Sequence, residues 1–189
     1  MNVIIDTDPG VDDSMAILLA LASPELNVLG LTICHGNLGD LERLGKNARI
    51  ILELAGKPDI PVYIGEKKAM HFEHSKGAPF VHGNNGLGDV EFGEPKKLYN
   101  KDKTAIEFII ETCEQYKNNI SLIALAPLTN VGKALTQKPE LASWVDHVYL
   151  MGGTFGHPGN ISPSAEANIF NDPHAAQIVF SADWEITAA

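Results

Sequence analysis

Asp6, Asp8, Asp12 and Asp13 crowd one short stretch between an apolar run that ends at Ile5 and a second apolar pattern that begins at Val11. At an effective dielectric near 20, two like charges about 4 Å apart repel by roughly 4 kcal/mol. Several converging carboxylates therefore need a cation, retained protons or outward-facing side chains. The stretch offers only oxygen donors, without thiolate or imidazole, and such a set suits a hard divalent ion of the Ca²⁺ or Mg²⁺ type. Local structure explains part of it, since Asp8-Pro9-Gly10 is good turn chemistry and Asp12 and Asp13 would complement the dipole of a following helix. That accounts for two aspartates. Four at the end of a strand fit better with the edge where open α/β sheets bind their ligands.

The flanking sequence supplies the elements that would hold this cluster. Val3 to Ile5 reads as a buried strand, and Val11, Met15, Leu18, Leu19 and Ala22 repeat at helical spacing until Ser23-Pro24. A second strand, Val28 to Ile33, leads through Cys34-His35-Gly36-Asn37 to a helical stripe at Leu41, Leu44, Ala48, Ile51 and Ala55 that stops at Gly56. A short third strand covers Pro61 to Ile64. Regular periodicity then fades over residues 65–103, which hold Gly83, Gly86, Gly88 and Gly93 together with His71, His74 and His82; His71 and His74 read as surface histidines rather than a metal pair.

Thr104 followed by Glu107 is a capping box, and Ile106, Ile109, Ile110 and Cys113 form the buried face of the helix it opens. Ile120 to Ala124 is a strand, Leu125-Ala126-Pro127 leads to a short helix near Leu128, and Val148 to Met151 is a fifth strand ending in Gly152-Gly153. Asn160, Glu166 and Asn168 follow. Asp172-Pro173 starts a helix whose Ala176, Val179 and Phe180 should face inward, and Trp184 to Thr187 reads as a sixth strand. The alternation predicts one α/β domain over residues 1–189, an open and mostly parallel sheet flanked by helices, with the site along the C-terminal strand edges.

Composition narrows the partners. The 189 residues are 44% hydrophobic, enough for a substantial core, and the net charge of −10 argues against nucleic acid, whose phosphates call for Lys and Arg. No apolar run reaches membrane-spanning length and no basic leader precedes the first strand, so a cytoplasmic protein without a membrane partner is expected. Cys34 and Cys113 read as reduced buried thiols. A small neutral ligand or a cation remains.

Asp6-Thr7-Asp8-Pro9-Gly10-Val11-Asp12-Asp13, Gly36-Asn37, Ala126-Pro127-Leu128-Thr129-Asn130, and Met151-Gly152-Gly153 with Asn160, Glu166 and Asn168 occur in that order along the whole chain. Together they resemble the nucleoside hydrolase family, which includes the inosine-uridine-preferring ribohydrolases. The resemblance implies Ca²⁺-dependent cleavage of a ribonucleoside to ribose and free base. It implies a Ca²⁺ ion held by Asp8, by Asp13 through both oxygens, and by the backbone carbonyl of Leu125, with Asp8 also taking a proton from the attacking water. Asp12 and Asn168 would bind ribose hydroxyls, Asn160 and Glu166 would reach the 5′-hydroxyl end, and Asn37 would sit near the sugar. His82 would lie near the nucleobase, and Asp6 would support the ligands from behind. A homo-oligomer is expected.

The family's members are considerably longer, and the portion beyond this length carries another aspartate ligand and, in many, a histidine that helps the base leave. No residue here corresponds to either. The alternative is therefore a catalytically defective fragment that keeps the fold and partial ribose and Ca²⁺ binding, and exposed apolar surface near Ala189 should promote self-association. A further alternative, a haloacid-dehalogenase-type phosphohydrolase, rests on Asp6-Thr7-Asp8 as a strand-end DxD pair; it expects Thr or Val where Gly10 stands and does not call for Asp12-Asp13. An EF-hand loop would need a bidentate Glu where Ile17 stands.

Overall fold

The computed structural model describes residues 1–71 and 77–189, so His74 lies outside the described residues. Its centre is a six-stranded, fully parallel sheet of order β3-β2-β1-β4-β5-β6. The strands are β1 (Asn2–Thr7), β2 (Asn27–Ile33), β3 (Val62–Ile64), β4 (Ser121–Ala124), β5 (His147–Leu150) and β6 (Ile186–Ala188). The chain winds outward from β1 to β3, then returns to lay β4 against the other side of β1. The crevice where that order reverses, between the ends of β1 and β4, is the topological switch point at which open parallel sheets bind ligands.

Alternation along the strands divides the core into two layers. Val3, Ile5, Leu31 and Ile33 face α1 (Val11–Ala22) and α2 (Leu41–Leu54), while Ile4, Leu122, Ala124 and Val148 face α4 (Ala105–Gln115), α5 (Thr129–Gln137), α6 (Leu141–Trp144) and α8 (Pro173–Phe180). Each fully buried Leu or Ile contributes about 1.5–3 kcal/mol of apolar transfer. Two short helices, α3 (Pro79–His82) and α7 (Ala167–Asn171), lie in the loops at the C-terminal strand edges. Among the described residues no helix is long and apolar enough to cross a membrane.

Several expectations need adjustment. β1 runs on through Asp6 and Thr7, because Asp6 pairs with Thr32 and Ala124, and Thr7 with Ile33. The apolar positions of α1 do not define its buried face: Ile17 and Ala20 are buried with Asp13, whereas Met15 is 71% and Leu19 70% exposed. A helix apolar on nearly every side cannot announce which side packs. Phe180, expected inside, is instead exposed at the end of α8, where Ala175, Ala176 and Val179 supply the buried face.

Candidate functional site

Asp8 follows β1, and Asp12 and Asp13 occupy the first turn of α1, so the strand–loop–helix unit brings three carboxylates to the switch point. Leu125 follows β4, its N–H donating to Asp6 O at 2.8 Å, so its carbonyl emerges at the same edge. Asn37 arrives from beyond β2. Its backbone N–H donates to Asp8 Oδ2 at 2.7 Å, and its Nδ2 donates to Asp8 O and to Asp13 Oδ2, both at 2.9 Å. One asparagine thus holds both proposed ligands. Gly36 has to be glycine, since a Cβ there would lie 1.8 Å from Asp8 Oδ2.

Asp13 is further tied by the Thr7 hydroxyl to Oδ1 at 2.6 Å and by Gly10 N–H to Oδ2 at 3.1 Å. Its Oδ2 therefore accepts two bonds, and Oδ1 keeps the open lone-pair direction. Asp8 Oδ1 is buried and has no hydrogen-bond partner among the described residues. Burial, reinforced by the neighbouring Asp13 charge, holds the Asp8 carboxyl well above the usual carboxylate range, and burial also raises Asp13. A buried carboxylate oxygen without a donor is costly unless something positive meets it. A hard oxygen-seeking cation fits this donor set of Asp8, Asp13 and the Leu125 carbonyl. Among the described residues no three His, Cys, Asp or Glu side chains converge tightly enough to hold an ion by themselves, so a hard cation, which takes about six to eight oxygens when it is Ca²⁺, would need further oxygen ligands there.

Asp6 has a separate place. It is buried behind the cavity, with Oδ1 accepting from Thr32 Oγ1 at 2.6 Å and from Asn130 Nδ2 at 2.8 Å. Burial pushes its carboxyl up to about 7 against the lowering effect of these two donors. Asp6 does not line the cavity, so the DxD phosphohydrolase reading lacks its nucleophile.

A cavity of about 410 Å³ opens over the cluster, lined by Asp8, Asp12, Asp13, Asn37, His82, Leu125, Asn160, Glu166 and Asn168. Every expected site residue except Asp6 is therefore brought together. A larger and more open hollow of about 670 Å³ lies elsewhere, along Ile64 to Lys67 and Tyr99 to Thr104, and includes none of them. Asp12, with 80% of its side chain exposed, stands free for a ligand, and His82 Nδ1 is 3.5 Å from its Oδ1. His82 itself is buried, and its Nδ1 accepts from Val11 N–H at 3.3 Å, which assigns the ring proton to Nε2.

The opposite wall depends on α7. Glu166 is its N-cap: Oε1 accepts from Asn168 N–H at 2.8 Å, and Oε2 accepts from Ile169 N–H at 3.1 Å and from Gly153 N–H at 2.9 Å. Asn168 Nδ2 donates to Leu125 O at 2.8 Å and Met151 O at 3.0 Å, so its Oδ1 is the end left for a hydroxyl. Asn160 uses its Oδ1 to accept from Ala167 N–H at 2.8 Å, leaving its NH₂. Thr7, Thr32 and Asn130 were not singled out by sequence. Asn130 was visible only as the end of Ala126-Pro127-Leu128-Thr129-Asn130, and nothing in that segment declares a bond to Asp6.

Comparison with known proteins identifies the family and the fold. Residues 3–189 match the family model described as inosine-uridine preferring nucleoside hydrolase. Uridine nucleosidase 1 of Arabidopsis thaliana is 44% identical over 186 residues, which cover 98% of this chain and 55% of that protein. Among solved structures, a plant nucleoside hydrolase superposes with a TM-score of 0.95 at 40% identity, covering 100% of this chain and 59% of the other. A purine-preferring ribonucleoside hydrolase from Gardnerella vaginalis gives 0.93 at 35% identity, covering 100% and 60%. The chain thus spans little more than half the length of these relatives.

Proposed function

Because the chain belongs to the inosine-uridine preferring nucleoside hydrolase family, we propose that its switch-point cavity binds a ribonucleoside and, with Ca²⁺, serves hydrolysis of the N-glycosidic bond to ribose and free base. The observation that carries this reading is the buried Oδ1 of Asp8, without a hydrogen-bond partner among the described residues, in a cavity whose polar lining of Asp12, Asn37, Asn160, Glu166 and Asn168 suits sugar hydroxyls and whose apolar lining includes Phe80, Val81, Met151 and Ile161. The proposal includes a cytoplasmic role in nucleoside salvage and a homo-oligomeric state.

Asp8, Asp13 and the Leu125 carbonyl would hold the ion, whose contribution when bound is to acidify and orient a water. The chain's own groups do the rest. Asp8 would accept a proton from the attacking water as the water's oxygen bonds to the anomeric carbon and the C–N bond breaks, its electron pair passing to the base nitrogen, which takes a proton from solvent to leave as the free base. Asp8 then returns its proton to solvent. The ribosyl group is oxocarbenium-like in the transition state, and the carboxylates of Asp8, Asp12 and Asp13 surround it with negative potential. Asp12 and the Asn168 Oδ1 accept from ribose hydroxyls. Asn160 NH₂ and the remaining Glu166 Oε1 lone pair engage the 5′ end. His82 Nε2–H is available as a donor toward the base. Most of these contacts are to sugar, so ribose is read more closely than base.

Ribose release from inosine and uridine, measured as reducing sugar with Ca²⁺ and with chelator, tests the proposal. Release above an Asp8→Ala control is the expected outcome. Equal release from both would overturn the role of Asp8. Calcium binding without release would favour a chain that keeps the site but not turnover, a reading motivated by the small set of converging carboxylates.

A further inference from the structure

Three buried polar side chains, His35, Thr129 and Asp172, lie outside the cavity lining and take no part in the chemistry above. Asp172 accepts throughout: Oδ1 receives Ala175 N–H at 3.0 Å, and Oδ2 receives Met70 N–H at 2.9 Å and the Thr129 hydroxyl at 2.7 Å. Thr129 has one hydroxyl proton, which goes to Asp172. His35 Nε2, 2.8 Å from Thr129 Oγ1, must then be the donor. Its other ring nitrogen, an acceptor in this tautomer, is buried without a partner among the described residues. The bonds run in one direction, from imidazole to hydroxyl to carboxylate.

Each end of this chain sits next to one wall of the cavity. His35 is separated from Asn37 only by Gly36, which is pressed so closely on Asp8 that a displacement of His35 has little room to dissipate. Asp172 follows α7, the helix that carries Asn168, and caps α8. We infer that His35, Thr129 and Asp172 are positioning residues that set the spacing between the Asn37 loop and α7, keeping the cation ligands in register with the ribose contacts. This rests on the proposed reading of Asp8 and Asp13 as the cation ligands and of Asn168 as a ribose contact. A threonine is needed at the centre because valine, nearly the same shape, would leave a buried imidazole N–H and a carboxylate facing a methyl group.

Amide hydrogen exchange of the 189-residue chain by NMR, in chelator, separates positioning from general stability. The probes are Asn37 and Asn168, against Leu31 and Val148 in the sheet, whose N–H groups donate to Pro61 O and Glu185 O. In Thr129→Val, exchange at Asn37 and Asn168 should rise about tenfold relative to the two sheet amides, and Thr129→Ser should restore it to within about twofold. Equal acceleration at all four amides, or none at Asn37 and Asn168, would overturn the inference. If Thr129→Val does not fold, His35→Ala provides the same comparison. Calcium titration calorimetry, at a temperature where each variant is folded, should show affinity weakened about fivefold or more in Thr129→Val and recovered in Thr129→Ser. No calcium binding by the parent chain would remove the cation reading and leave the exchange result to decide the positioning role.

Discussion

Asn37 is the residue on which the proposed cation ligands most depend, since its backbone N–H and its side chain each bond to Asp8 and its side chain also bonds to Asp13. Asn37→Ala keeps the backbone bond and removes the two side-chain bonds. Calcium affinity should fall about 10- to 100-fold, the usual effect of losing a group that orients a metal ligand, and calorimetric titration would show it. Gly36→Ala should cost about 1–3 kcal/mol in denaturant unfolding, because the added carbon meets Asp8 and the loop must move. Asp6 provides a pH test. Its folded value of about 7 exceeds the unfolded 3.8, so between these values the folded chain binds more protons and stability must fall as pH rises. In chelator, raising the pH from 4.5 to 7 should therefore lower the melting temperature of the parent chain relative to Asp6→Asn; a difference between the two that does not change with pH would contradict this.

At the scale of elements, α7 is held at its start by Glu166, whose carboxylate accepts from three backbone N–H groups. Glu166→Ala should destabilise by about 1–3 kcal/mol and weaken ribose binding, while Asp40→Ala, which removes only the N-cap of α2, should cost about 1 kcal/mol and leave calcium affinity unchanged. Chemical denaturation with parallel titrations checks both. The longer elements were legible in the sequence because they repeat: α2 and α4 show clear apolar stripes, and Thr104 with Glu107 marks a real capping box. The short helices α3, α6 and α7, of four or five residues, were not, since one turn is too little for a period to register. The site residues were legible as types at strand ends. Their partners were not: Asp6 meets Thr32 only when β2 pairs with β1, and Asn130 reaches Asp6 and Thr129 reaches His35 only after β4 and α5 have packed beside them, and spacing along the chain does not encode such encounters.

For the molecule as a whole, the outward side of α1 presents Met15, Leu18 and Leu19 to solvent close to the cavity rim formed by Asp12. An apolar strip of this kind favours association. Sedimentation velocity should show a concentration-dependent larger species that Met15→Glu/Leu19→Glu diminishes; an unchanged distribution would place any association elsewhere. The pairing of β1 with β4, Val3 opposite Ser121 through Asp6 opposite Ala124, also sets an order of events during synthesis. The aspartates are made before their neighbours across the sheet, since the carbonyl of Leu125 and the β4 edge beside them come more than a hundred residues later. Until then Asn37 can meet Asp8 and Asp13, but the β4 side of the cluster is open to solvent. Contacts of such long sequence separation form slowly, so capture of the proposed cation would be a late event on the ribosome, and a dye that reports calcium should remain silent for nascent chains halted before β4.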